Sequence, residues 1–466
     1  MDANYDLTVI GAGPGGYEAA IRAAQLGLNV AVIEEKDLGG TCLNWGCIPT
    51  KSLLHSAEIF QMAIHSEAFG VQVGSVSFDY GKIAQRKDTV VEQLRYGVES
   101  LLKSNGVKII RGRAIFVDPH TIEIDGPQKQ LIQSNKTIIA TGSRTFKPPI
   151  PGIDGSQVLD SDGVLALKTC PDRIIIMGGG VIGVEFATVF SNLGKNVIII
   201  EMMDRILPGI DHEIAALTRQ SLEKKGIEIH TSAKVLSIQT SEVVSCSFIQ
   251  NDVEKQVSGD LVIVAIGRKP NTENLGLQKI GVKMDRGYIQ IDETMETSVP
   301  GIYAIGDITG KVQLAHFASA QGLVAAGNAA GKSQRLNSNI VPGCIYTSPE
   351  IASVGMTETE AAQTNRTIKI GRFPVSANGK SLISGETEGL VKIITDHVTG
   401  EILGAHIMAS RATDMIGEIA VAMNLESTIE EISETIHPHP TYIEMLKEAA
   451  HDVEDLCINK PRVKKK

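Results

Sequence analysis

The chain has 466 residues, which at ordinary domain sizes is enough for about three domains. With 42% hydrophobic and 21% charged residues it is not a disordered, collagen-like or coiled-coil protein. The 54 acidic residues outweigh the 44 basic ones for a formal net charge of -10, and aromatics are only 4%, so neither a general nucleic-acid binder nor a base-stacking surface is expected. No run approaches the roughly 18 uninterrupted apolar residues of a membrane-spanning helix. A first strand from about Tyr5 leaves no room for a signal or transit peptide, so a cytoplasmic chain is expected.

Along the chain, YDLTVIGAGPGGYEAAIRAAQLGLNVAVIEE has the pattern of a buried strand over 7–10, a glycine turn, a helix and a second strand ending at Glu34. Two helical stretches follow, from about Thr50 to Ser66 and from about Tyr80 to Ser104, and short strands then lead to KTIIATGS at 136–143. KPPIPG at 147–152 has the composition of a linker, because its prolines suit neither a helix nor a central strand. RIIIMGGGVIGVEFATVFSNLGKNVIIIEMM repeats the strand, glycine turn, helix and strand, now ending at Glu201. Strands continue to DLVIVAIGRKPNT, where Pro270 and Asn271 mark another boundary. After SVPGIYAIGDITG comes a helix rich in small residues, about Ala315 to Ala330. From about Val341, strands followed by helices suit an α+β domain. The terminal PRVKKK is a charge run without apolar support, expected to be disordered.

The two repeated units have the same spacing: from Gly11 to Glu34, and again from Gly178 to Glu201, is 23 positions. Glycines at such a turn, here Gly11, Gly13 and Gly16 and then Gly178, Gly180 and Gly183, let a pyrophosphate approach the backbone and the following helix N-terminus. Tight packing is the competing reason for glycine there. Glu34 and Glu201 would each accept hydrogen bonds from a ribose, the alternative being a solvated carboxylate at a strand end. A carboxylate at Glu201 also repels a 2′-phosphate, so NAD is expected over NADP, with the nearby Arg205 working slightly against it. Two dinucleotide sites in one chain suggest electron transfer between a tightly held flavin and a diffusing nicotinamide.

Of six cysteines, Cys170, Cys246, Cys344 and Cys457 stand alone, which argues against a secreted disulfide framework. Cys42 and Cys47 lie in GGTCLNWGCIPTK at the start of an expected helix, where a thiolate is stabilised and redox exchange is favoured. Zinc is the competing reading, but two further ligands at suitable spacing are missing, and no metal is expected. An inert core pair or a purely structural disulfide is the remaining alternative.

GGTCLNWGCIPTK resembles the redox-active segment of the pyridine nucleotide-disulfide oxidoreductases. GAGPGG, ATGS, GGGVIGVE, AIGRKPNT, AIGD and the C-terminal HPHPTYIE match the other family segments in order. The resemblance spans nearly the whole chain. It implies an α/β fold with two Rossmann-like domains and a C-terminal α+β dimerisation domain. The expected divisions are FAD-binding 1–148, NAD-binding 149–270, a central domain 271–340 completing the FAD site, and an interface domain 341–466. Within the family the chain is most similar to the branch that oxidises protein-bound dihydrolipoamide to lipoamide with NAD. That branch serves 2-oxo-acid dehydrogenase complexes and the glycine cleavage system, so lipoyl-bearing proteins are the implied partners of a homodimer.

Carried onto this chain, the resemblance makes Cys42 the thiol that exchanges with lipoamide and Cys47 the one against the flavin. Lys51 would lie near the flavin and pair with Glu185. Asp307 would bind the ribityl chain, Thr141 and Gly142 would line the FAD site, and Gly267 belongs to the nucleotide-binding set. His439 matches the base and Glu444 its orienting carboxylate, the base coming from the other subunit. Such a pair is chemically required, since two dithiol protons must leave near neutral pH. His437 does not match the base, and packing or exposure is expected for it. Relatives that reduce glutathione or trypanothione disulfide usually have lysine where Thr50 stands, and the mercuric reductases have a C-terminal cysteine pair where Cys457 is single. Trp45, where a small aliphatic residue is common, departs from the pattern.

Overall fold

The computed structural model describes residues 3–127 and 129–461, so Arg462 to Lys466 of the basic tail lie outside the described residues. In the first repeated unit, Ala3–Ile10 pairs in parallel with Val30–Glu34 on one side and with Gln130–Ile139 on the other, the helix Pro14–Gln25 crossing between the first two. Lys108–Arg111 extends the sheet beyond Val30–Glu34, while antiparallel Thr121–Asp125 and Arg113–Phe116 extend the other side. The late strand Ile302–Ala304 returns to pair in parallel with Gln130–Ile139.

Side chains of a strand alternate between its two faces. Leu7, Val9, Val30 and Val32 accordingly pack with Ala19 and Ala23 of the first helix and with Ala325 and Ala326 of the helix Ala315–Ala329. Ile10, Ala31 and Ile33 face the other way, onto Phe116, Ile122 and Leu277. Both faces are covered, as a parallel sheet requires.

The second unit has a five-stranded parallel sheet in the order Glu228–His230, Asn196–Ile200, Arg173–Met177, Leu261–Val264 and Val158–Asp160. Ile174, Ile176, Val197 and Ile199 pack on Phe186 and Phe190 of the helix Val181–Asn192. Ile175, Met177, Ile198 and Ile200 pack on the opposite side against Ile238, Cys246 and Phe248 of an antiparallel three-stranded meander. Farther along, Gly343–Ile345, Glu350–Gly355, Ile402–Ala409, Leu390–Asp396 and Ile368–Pro374 form an antiparallel sheet covered by Ala412–Asn424 and Glu444–Val453.

The helix carrying the second cysteine joins these parts. It runs over Cys47–Ile64, beginning three residues before the expected Thr50, and a 3-10 turn over Ser66–Phe69 follows. Its Leu53, Leu54 and Ala57 belong to the apolar cluster of the second unit with Val184, Phe186 and Phe190. Packing of one apolar stripe therefore fixes how this helix faces the helix Val181–Asn192.

Candidate active site

The first glycine turn separates three roles. Gly11 has φ +100°, and a Cβ there would overlap the Ala140 carbonyl, so only glycine closes this turn. A Cβ on Gly16 would overlap the Gly11 carbonyl, which sets how closely helix and strand approach. A Cβ on Gly13 would meet nothing nearer than Gly40 Cα at 3.9 Å, so this backbone is open to a ligand. Glu34 closes the site: its carboxylate accepts from Ala12 N at 2.8 Å and Lys36 N at 2.7 Å. Burial pushes its pKa up, and the acceptor sites left on the two oxygens suit ribose hydroxyls.

Segments remote in sequence complete this end of the sheet. Thr141 Oγ1 donates to Asn271 O at 2.7 Å, and Asn271 Nδ2 donates back to Thr141 O at 3.0 Å. Gly142 has φ +67° with open space where a side chain would stand. Asp307, in the 3-10 turn Gly306–Thr309, accepts from the Ser143 hydroxyl, which itself accepts from Arg268 Nε at 2.7 Å. The helix Ala315–Ala329 lies tightly on the first helix, because Gly15 and Gly322 leave no room for side chains between them. These donors, the open glycine and the two carboxylates fit a dinucleotide held along the turn.

The second unit repeats the arrangement. Gly178 has φ +108° and faces the Ala265 carbonyl, Gly183 faces the Gly178 carbonyl, and nothing lies within 4 Å of a Gly180 side chain. Gly267 follows Ala265 as Gly142 follows Ala140, with φ +138° and open space beside it. Glu201 accepts from Gly179 N at 2.5 Å and Met203 N at 2.7 Å.

Cys42 lies in the short helix Gly40–Trp45, and Gly46 breaks the chain before Cys47 opens the 18-residue helix. The two are free thiols in hydrogen-bonding contact. Cys42 keeps the proton, and its pKa is pushed up by donation to Cys47 and by burial. Cys47 is pulled down to about 7 by that hydrogen bond, against burial, with the Lys51 charge helping. Its place at a helix N-terminus favours thiolate in the same direction.

Lys51 Nζ donates to both oxygens of Glu185 at 2.7 Å. The Glu185 side chain is 4% exposed and also accepts from Tyr346 N at 3.0 Å, while Lys51 lies 4.6 Å from the Tyr346 ring centroid. Glu185 stands in the second unit's helix Val181–Asn192 and meets the cysteine-bearing helix through Lys51. Tyr346, Ser143, Arg268 and Asn271 carry no assignment from the sequence. Ser143 and Arg268 stand inside ATGS and AIGRKPNT, but their meeting depends on the tertiary fold, and no motif marks Tyr346.

His439 Nδ1 lies 2.9 Å from Glu444 Oε1, and Glu444 Oε2 accepts from Thr441 N at 2.8 Å. The imidazole is 77% exposed, so the single chain leaves it facing outward. His437 differs: it is buried, with Nε2 2.9 Å from Glu418 Oε1 and Nδ1 3.0 Å from Thr435 O. Trp45 has the Lys36 ammonium 5.5 Å from its ring centroid. Among the described residues no group of three or more His, Cys, Asp or Glu side chains is arranged to hold a metal ion.

Residues 5–322 match the family pattern of the pyridine nucleotide-disulphide oxidoreductases, and residues 341–450 match their dimerisation domain. A dihydrolipoyl dehydrogenase of Bacillus subtilis is 44% identical over 464 residues, covering 97% of this chain and 98% of that protein. One from Chlamydia muridarum is 44% identical over the full length of both. Among solved structures, LpdA from Mycobacterium tuberculosis superposes with a TM-score of 0.90 at 28% identity, covering 96% of this chain and 99% of that one. The flavoprotein disulfide reductase RclA of Escherichia coli, as its Cu(II) complex, gives 0.87 at 31% identity over 97% of this chain and 99% of its own. With both its parts matched in order around the paired cysteines, the chain belongs to the pyridine nucleotide-disulphide oxidoreductase family.

Proposed function

We propose that this chain oxidises the dihydrolipoyl group of a partner protein to the lipoyl disulfide and reduces NAD. The observation that carries this is the cysteine pair: Cys47 opens a helix and is drawn toward thiolate, with Lys51 and buried Glu185 beside it. Full-length relatives at 44% identity carrying the name dihydrolipoyl dehydrogenase support the choice of dithiol. FAD would occupy the first unit, held by Gly11, Gly13, Gly16, Glu34, Thr141, Gly142 and Asp307, and NAD the second, at Gly178, Gly180, Gly183, Glu201 and Gly267. Bound there, FAD supplies a two-electron relay between the dithiol and the nicotinamide.

The residues of the chain account for the thiol chemistry. With Nδ1–H donated to Glu444, His439 Nε2 is the acceptor for the proton of a dihydrolipoyl thiol. The resulting thiolate attacks Cys42 Sγ of the enzyme disulfide, a lipoyl–Cys42 bond forms and Cys47 leaves as thiolate. The best leaving sulfur is the one of lower pKa, which is why Lys51 and the helix N-terminus beside Cys47 give the exchange its direction. The second lipoyl thiol, deprotonated in turn, attacks the lipoyl sulfur bound to Cys42; the lipoyl S–S bond forms, the lipoyl–Cys42 bond breaks and Cys42 leaves as thiolate. Lipoyl disulfide has formed, the enzyme dithiol has taken the electron pair, and re-oxidation by NAD yields NADH and one proton.

The divisions proposed are 1–148, 149–270, 271–340 and 341–466, the third returning to the FAD site through Ile302–Ala304 and Asp307. A homodimer, with His439 serving the partner chain's cysteines, agrees with the matched dimerisation domain and the exposed imidazole. Partners would be lipoyl-bearing proteins of 2-oxo-acid dehydrogenase complexes or the glycine cleavage system. Cys170, Cys246, Cys344 and Cys457, free thiols outside the redox pair, suit a reducing compartment such as the cytoplasm. A panel of lipoamide, glutathione disulfide and mercuric ion, each with NADH and NADPH, tests the reading. Lipoamide with NADH should be turned over fastest; preference for either other acceptor would contradict it.

A further inference from the structure

The segment that carries His439 is gripped by a short helix some sixty residues earlier in the chain. Asn378 caps the helix Gly379–Ser384: its Oδ1 accepts from Ser381 N at 2.9 Å and from Ser381 Oγ at 3.1 Å. The acceptor role of Oδ1 fixes which way the amide points, so Nδ2 is the atom turned toward Thr441, and it donates to Thr441 O at 3.1 Å. Asn378 is buried, so little water competes for this bond. On the other side of the same residue, Thr441 N donates to Glu444 Oε2 at 2.8 Å, and Glu444 Oε1 lies 2.9 Å from His439 Nδ1. Thr441 Oγ1 donates to Pro438 O at 2.6 Å. One residue on, the Tyr442 hydroxyl donates to Glu386 Oε2 at 2.8 Å and lies 2.7 Å from Ser384 Oγ. Both ends of the short helix therefore hold residues 441 and 442.

We propose that Asn378 is a positioning residue for the base: through Thr441 and Glu444 it sets the direction in which His439 presents Nε2. The inference rests on the reading of His439 as the base. That imidazole is 77% exposed, so its direction is set by Glu444 and by the Thr441 amide that Glu444 accepts from. A base acts only within hydrogen-bond reach of its proton, and a displacement of about 1 Å can cost about a hundredfold in rate. Capping alone requires only a side-chain oxygen at position 378, which serine also supplies. The donor Nδ2 is what asparagine adds, and its one recorded partner is the segment of the base.

Asn378→Ser separates the two roles, because it keeps an oxygen for the cap and removes the donor to Thr441. In the FAD-loaded homodimer, kcat for oxidation of dihydrolipoamide should fall about tenfold, with a larger solvent deuterium isotope effect as proton transfer becomes limiting. The rate of ferricyanide reduction by NADH, which uses the flavin and the nicotinamide site but no base, and the KM for NAD should stay within about twofold of wild type. A dihydrolipoamide kcat equal to that of wild type, or equal falls in the dihydrolipoamide and ferricyanide rates, would overturn the assignment. If Asn378→Ser fails to fold with FAD, Tyr442→Phe, which loosens the adjacent residue and leaves the cap intact, decides on the same criteria. His439→Gln keeps the two readings apart. If it is inactive with dihydrolipoamide while Asn378→Ser matches wild type, only the positioning role fails, whereas a fully active His439→Gln overturns the base and the positioning role together.

Discussion

In the proposed mechanism Cys47 is the sulfur whose protonation state sets the direction of exchange. Its thiol is drawn down by Cys42 and by Lys51, against burial, so the thiolate fraction rises as pH passes upward through about 7. In the reduced, FAD-loaded protein a long-wavelength thiolate-to-flavin absorbance should therefore appear with a midpoint near that pH. Cys47→Ser should abolish the band, and Cys42→Ser should keep it while losing lipoamide turnover. Lys51→Gln removes the favourable charge and leaves Glu185 buried without its ion pair, so the midpoint should move up, by about one pH unit. An unchanged midpoint would remove Lys51 from the electrostatics of the pair. The Lys51–Glu185 contact was legible only through family resemblance, since no local rule joins residues 134 apart. The stabilised cysteine at a helix start, by contrast, followed from GGTCLNWGCIPTK itself.

The glycine turns divide positions that a side chain would clash with from positions with open space, the latter facing the ligand in the proposed function, and a methyl group distinguishes them. Gly180 has φ -77°, which alanine adopts freely, and space beside it. Gly180→Ala should keep the melting temperature of wild type and raise the KM for NAD about tenfold, because the added Cβ meets only the ligand. Gly183→Ala should instead lower the melting temperature, since its Cβ would enter the Gly178 carbonyl. Equal effects on melting in the two variants, measured by calorimetry, would undo this division of roles. Both turns could be read from the sequence because strand, glycine, helix and acidic end lie within one continuous stretch. The Ser143–Arg268–Asp307 contacts could not, because they join the short strand Ser143–Thr145 to two later segments. Helix starts were legible only to within a turn: Cys47, three residues before the expected start, already has its place in the helix because Gly46 breaks the preceding one.

At the scale of the whole molecule, the second unit is bound to the C-terminal sheet by a buried ionic cluster. Lys392 and Asp211 are each 1% exposed and 2.8 Å apart, and Lys392 also reaches Glu213 at 3.1 Å and Glu358 at 2.5 Å. Arg372 bridges Glu213 and Glu358 at 2.9 Å each. Burial alone would lower the Lys392 pKa, but its carboxylate partners raise it, and Lys392 with the Glu358 amide holds Asp211 below its ordinary value against burial. The Asp211 contribution is thus in place above pH 3.8 and lost below it as the carboxylate protonates, while that of Lys392 is in place below 10.5 and lost at higher pH. Lys392→Met should destabilise by about 3–5 kcal/mol, and Asp211→Asn in the same chain should recover part of the loss, because the penalty is an unpaired buried charge. Chemical denaturation at pH 7 measures both; additive losses would contradict the pairing. No sequence pattern marked Lys392 or Asp211, since a buried pair from two units looks like two surface charges until the units pack.

The proposed assembly of two chains into each working site is tested most directly by mixing His439→Gln subunits with Cys42→Ser subunits. In a heterodimer one site then carries both defects and the other neither. Lipoamide activity should return to about half that of wild type per mixed dimer, although each parent homodimer is nearly inactive. Verified heterodimers without recovery would show that His439 serves its own chain or is not the base.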